Sequence, residues 1–154
     1  FQAEDGIRDR SVSRGLADVY KRQMLEADGR ATLAQLAQAT GLSVSAAQSR
    51  VQKLEKRGII KGYKAIIDQE QRGLPISAFV NVTPLDYSAE SSIPDKLNNI
   101  DGIVSCYSVA GAPSFVLVVR VASPTALEEL LNLIHRTVPV STETTMILQT
   151  YFAH

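Results

Sequence analysis

"GLSVSAAQSRVQKLEKRGIIKGY" (residues 41–63) carries five Lys/Arg against one acid, Glu55, in a 154-residue chain of formal net charge zero. Its local grammar is helical. Just upstream, "TLAQLAQAT" offers Thr32 as an N-cap with Gln35 three residues on, a capping box, and Leu33, Leu36 and Ala37 on one stripe. Gly41 tolerates the left-handed backbone that ends a helix, and Ser43 can cap a second helix from Val44 to about Arg57. Two short helices across a Gly-containing turn form a helix-turn-helix.

On the second helix, Val44, Ala47, Val51 and Leu54 fall within about 80° of one another at ~100° per residue, a stripe to be buried. The opposite side carries Ser45, Ser49, Gln52, Lys53 and Lys56, with Ala46, Gln48 and Arg57 beside them and Arg50 towards the buried side. Small hydrogen-bonding groups come first and cations last. A recognition helix needs that division, because its first turns meet base edges while later cations meet phosphate.

The charge is polarised along the chain. Residues 24–74 hold eight Lys/Arg and five acids (+3), residues 75–154 three and seven (−4), and residues 1–23 five and four (+1). An anionic partner, double-stranded DNA, is therefore expected for the first half, with Ser43, Ser45, Gln48, Ser49, Arg50, Gln52, Lys53, Lys56 and Arg57 as candidate contacts. After Gly58, "IIKGYKAIID" alternates as a strand or small wing would.

The run "DGRATLAQLAQATGLSVSAAQSRVQKLEKRGIIKGYKAIID" resembles the DNA-binding half of the Lrp/AsnC (feast/famine) transcription regulators. The resemblance runs through Asp28-Gly29-Arg30, Leu36-Ala37, Gly41-Leu42-Ser43, Arg50-Val51, Leu54-Glu55 and Gly58 to Tyr63 without a gap. It implies a helix before "DGR", of which only "MLEA" is read as present. The preceding "FQAEDGIRDRSVSRGLADVYKRQ" (1–23) has little periodicity and resembles translated adapter read-through. It is set aside as a non-native arm; the other reading is an arm that helps bind DNA. The divisions are then arm 1–23, helix-turn-helix 24–61 with its first helix truncated, strand linker 62–74 and a second domain 75–154.

From Pro75 the pattern changes. "ISAFVNVT" sets Ile76, Ala78, Val80 and Val82 against Ser77, Phe79, Asn81 and Thr83. "SSIPDKLNNI" reads as a short helix with Ser92 and Asp95 in capping positions. "IVSCYSVA" and "SFVLVVRVA" are strands about a "GAP" turn, Ser123-Pro124 opens a helix carrying Leu127, Leu130, Leu131 and Ile134, and "TETTMILQTYF" closes as a strand. The order βαββαβ predicts an α+β chain: a winged helix-turn-helix followed by a ferredoxin-like sandwich with both helices on one face. The strand 115–122 is apolar on both sides, Val116 and Val118 as well as Phe115, Leu117, Val119 and Val121, so a second copy should cover the bare sheet face as a homodimer.

The Lrp/AsnC resemblance extends over roughly 24–153. It implies that this half dimerises, often assembles into octamers, and senses an amino acid. The family's Gly-x-x-Asp turn corresponds to Gly111, Ala112, Pro113 and Ser114, with serine where many members have aspartate.

No apolar run reaches the ~18 residues that span a bilayer, and the single Cys106 excludes an internal disulfide and multi-thiolate zinc sites, so the cytoplasm is expected with no membrane partner, no metal and no cofactor. No nucleophile elbow, P-loop or dinucleotide fingerprint occurs, and His135, His154, Cys106 and the Glu128/Glu129 pair form no catalytic constellation. A non-enzymatic regulator is expected. The alternatives are a tetrapyrrole decarboxylase on a related scaffold, or a ligand-binding and assembly module with an impaired DNA-binding half.

Overall fold

The computed structural model describes residues 15 and 18–152. The chain divides into two compact units, Phe1–Ile66 and Ile67–His154.

The first unit contains a helix that sequence periodicity had not suggested. Helix α1 runs over 18–27, and Met24 and Leu25 pack on the cluster of Leu36, Ala37, Ala47 and Val51. The truncated-helix reading is corrected to that extent, since the residues from 18 onward supply a third helix to this core. The cost is visible at Lys21, which is 0% exposed and whose Nζ has no hydrogen-bond partner. Burial, then the Arg50 charge, push its pKa below 10.5. Residues 1–14, 16 and 17 of the expected arm lie outside the described residues.

Helix α2 (Leu33–Thr40) starts where local chemistry dictates. The Gln35 amide donates to Thr32 Oγ1 and the Thr32 amide to Gln35 Oε1 at 2.7 Å, closing the capping box. Gly41, at φ 65°, ends it in the left-handed region where a side chain would be strained. Helix α3 (Val44–Lys56) begins at Ser43, whose hydroxyl accepts from the Ala46 amide. One expectation fails here: Val44 is 50% exposed. At the first helical position it projects beyond the core, and Ala47, Val51 and Leu54 alone form the buried stripe.

No strand or wing forms over 59–75, where the alternating pattern had suggested one. The Ile59 and Ile60 amides turn back onto Leu54 O, and beyond them the chain is exposed, Ile66 fully so. Alternation marks a strand only when a neighbour takes up its backbone hydrogen bonds.

The second unit follows the expected order: β1 (Ile76–Pro84), a 3₁₀ turn (Tyr87–Ser92), α4 (Ile93–Leu97), β2 (Ile103–Ser108), β3 (Phe115–Val121), α5 (Pro124–Thr137) and β4 (Val140–Ile147). The antiparallel sheet has order β2-β3-β1-β4, with Val80 opposite Leu117 and Thr144. Ala78, Val80, Val82, Leu117 and Val119 pack beneath Ile93, Leu97, Leu127, Leu130 and Ile134, so both helices cover one face. Ser92 makes no side-chain cap; its hydroxyl donates to Ala89 O instead, because the 3₁₀ turn already occupies the helix entry. The last strand is shifted, starting at Val140 and stopping at Ile147, so that Leu148–Phe152 lie outside the sheet.

Among the described residues of this unit, no helix covers the other sheet face. Register places Phe79 beside Val118 and Asn81 beside Val116, with Tyr107 next to Val116. Phe79 is 44% and Tyr107 56% exposed, while Val116 and Val118 are half-buried.

Candidate nucleic-acid interface and effector turn

Helix α3 presents the expected side chains to solvent. Ser45, Gln48, Ser49, Gln52, Lys53, Lys56 and Arg57 are all exposed, within an arc of about 180° around the helix. Ser43 is exposed too, but its oxygen accepts from Ala46 and lies 3.2 Å from Ser45 Oγ, so it serves chiefly the cap. Lys53 and Lys56 occupy the last turn, where the helix dipole favours cations. None of the Ser45, Ser49 and Lys53 side chains is spent on packing in the core of this unit.

Arg50 stands apart. It is half-buried, and its Nη1 donates to Asp18 Oδ1 at 2.9 Å. Lys21 Nζ lies 3.9 Å from the same carboxylate oxygen, so one acid faces two cations. Asp18 of α1 thus clamps the flank of α3. Asp18, Arg50, Lys53 and Arg57 line a cleft of about 440 Å³ there. Sequence reasoning missed Asp18 because it had set that segment aside. A second brace comes from Tyr63, whose hydroxyl donates to Glu55 at 3.0 Å; burial and this bond raise its pKa.

The other candidate site is the turn between β2 and β3. The Ser114 amide donates to Val82 O and the Val109 amide to Ser114 O, so backbone bonds fix its base. Ala112 and Pro113 line a cavity of about 170 Å³ together with Asn81, Thr83, Thr142 and Glu143. Gly111 and Ser114 do not line it. Glu143 is a residue that sequence reasoning missed. It sits opposite Asn81 on β4 and brings a carboxylate to a turn that lacks the family's acid at 114. Only the strand register could have found it.

The residues weighed for catalysis stay apart. His135 Nε2 lies 2.9 Å from Thr142 Oγ1, joining α5 to β4. Cys106 is exposed on edge strand β2, and desolvation pushes its thiol up, away from the reactive thiolate. His154 lies outside the described residues. Among the described residues no group of three or more His, Cys, Asp or Glu is placed to hold a metal, and no helix is long and apolar enough to cross a membrane.

Comparison with known proteins identifies the family. A family model for winged helix-turn-helix DNA-binding domains matches residues 23–61, and one for the Lrp/AsnC ligand binding domain matches 77–154. The HTH-type transcriptional regulator LrpA of Mycobacterium tuberculosis is 54% identical over 129 residues, 84% of this chain and 86% of that protein. LrpC of Bacillus subtilis, also an HTH-type transcriptional regulator, is 36% identical over 110 residues, 70% and 74% of the two chains. A solved feast or famine regulatory protein from M. tuberculosis, complexed with L-methionine, superimposes with TM-score 0.83 at 53% identity, covering 85% of this chain and 89% of that one. These relatives are regulators, which removes the decarboxylase alternative.

Proposed function

The chain belongs to the Lrp/AsnC family of DNA-binding transcriptional regulators, and from that premise we propose how its own residues divide the work. Helix α3 lies in the major groove. Ser45, Gln48, Ser49 and Gln52 face base edges, while Lys53, Lys56 and Arg57 neutralise phosphates. Arg50 is a positioning residue, held by Asp18, rather than a phosphate ligand. The observation that carries this reading is the exposed outward face of α3, polar and small first, cationic last.

The second unit assembles and senses. The apolar face around Phe79, Val116 and Val118 joins two copies, which spaces two recognition helices for paired half-sites; further association gives the octamer. A cavity of about 170 Å³ is smaller than the ~300–1,000 Å³ of complete small-molecule sites, so a neighbouring copy completes it. The effector is an amino acid. Its ammonium group meets Glu143, which stands in for the acid missing at Ser114, and Gly111, Ala112 and Pro113 shape the turn around it. Action in the cytoplasm is consistent with a DNA-binding regulator.

DNA selection followed by affinity measurement tests the first part. Gln52→Ala with Ser49→Ala should cost about 1–3 kcal/mol per lost base contact on the selected site while leaving the salt dependence intact. An unchanged consensus and affinity would remove these residues from base readout.

A further inference from the structure

The second unit holds another cleft, at the opposite end of β2 and β3 from the Gly111–Ser114 turn. It has a volume of about 800 Å³ and lies between the 69–74 turn, the start of β2 and one stripe of α5. Small-molecule sites run to ~300–1,000 Å³, so this one is full-sized within a single chain.

Its lining is mixed in a particular way. Val121, Leu130 and Leu133 give it apolar wall, and Arg72, Arg136, Asp101 and Glu129 border it. None of these four forms an ion pair with another described residue, so charges of both signs stand around this cleft without neutralising one another. Arg120 also borders it, but strand alternation turns its side chain towards the uncovered sheet face beside Ser77.

Gln69 adds an independent sign. Its Nε2 donates to Ile67 O at 2.7 Å, which fixes the amide orientation, since a flipped amide would set two oxygens against each other. Its Oε1 is then buried with no partner, an acceptor that costs free energy until a donor reaches it. Gly102, at φ 94°, keeps the floor open: a Cβ there would stand 3.2 Å from Leu130 Cδ2.

We propose that this cleft is a second small-molecule site, separate from the Gly111–Ser114 turn, that takes a zwitterion with an apolar side chain, of the α-amino acid class. The carboxylate goes to Arg72 and Arg136, the ammonium to Asp101, Glu129 and Gln69 Oε1, and the side chain to Leu130 and Leu133. The site needs no second copy.

The test is an NMR titration of the full chain with L-leucine and L-methionine up to about 10 mM. Two single-charge analogues of leucine, 4-methylpentanoate and isopentylamine, serve as comparisons. Amides of 101–104 and 129–136 should shift with the amino acids, and binding should weaken about tenfold in Glu129→Lys and in Arg136→Glu, both exposed positions, and with either analogue. Shifts confined to 111–114 and 143 would overturn this site and leave the effector turn standing. Shifts at the cleft alone would support it and remove the effector turn. Cleft shifts that survive both charge reversals, or follow the analogues equally, would reduce it to an apolar crevice. No response anywhere would overturn both sites.

Discussion

Replacing Lys21 by leucine should stabilise the N-terminal unit. The lysine is fully buried, its Nζ has no hydrogen bond, and its nearest acid, Asp18, lies 3.9 Å away and already accepts from Arg50 at 2.9 Å. Arg50's repulsion outweighs Asp18's attraction at Lys21, so the neighbouring charges bring the lysine no net relief. What remains is the cost of an unsatisfied buried charge, upwards of ~1–3 kcal/mol. Leucine removes that cost, restores apolar burial, and gives back about 1 kcal/mol for the shorter side chain. The net gain should be about 1–2 kcal/mol, near 5–15 °C in Tm for a unit of this size.

The pH dependence has a definite sign. The folded pKa lies below the unfolded 10.5, so between the two the unfolded chain binds more protons. Wild-type stability must therefore rise with pH across that window and lose the penalty above 10.5. The leucine variant should show no such rise. Native-state hydrogen exchange at the amides of α2 and α3, with thermal melts at several pH values, separates this unit from the sandwich. A variant no more stable than wild type, or one that keeps the same pH slope, would mean that α1 does not pack here as described.

Other changes probe separate parts of the structure. Ser43→Ala removes the α3 cap and should cost about 0.5–2 kcal/mol by denaturant melts. Val118→Asp puts a charge in the middle of the uncovered sheet face and should shift the chain to monomer in sedimentation, with Tm in the isolated chain little changed because Val118 points away from the core. Asp18→Asn weakens the Asp18–Arg50 pair that ties α1 to α3 and should cost the N-terminal unit about 0–1 kcal/mol in denaturant melts.

Much of the fold was legible because its signals are local. Thr32, Gln35, Gly41 and Ser43 lie next to the backbone they satisfy, and the period-two pattern of β1 and β3 names its buried face without reference to a partner. What stayed hidden depends on distant contacts. Helix α1 was missed because its buried position carries a lysine, which interrupts the apolar stripe. Val44 fits the wheel but projects past the end of the neighbouring helix. The 62–74 segment was read as a strand linker, but among the described residues no strand pairs with it. Glu143 comes to the Gly111–Ser114 turn through β4 pairing, and the charged cleft on α5 gathers residues from 69 to 136, which no window of sequence spans.

The most direct measurement is a salt titration of DNA binding by wild type and by Lys53→Ala/Lys56→Ala. With α3 in the groove and both lysines on phosphates, the slope of log K against log salt should fall by about 1.8, and affinity should weaken alike on specific and random duplexes. Equal slopes and equal affinities would contradict the placement of α3 on DNA.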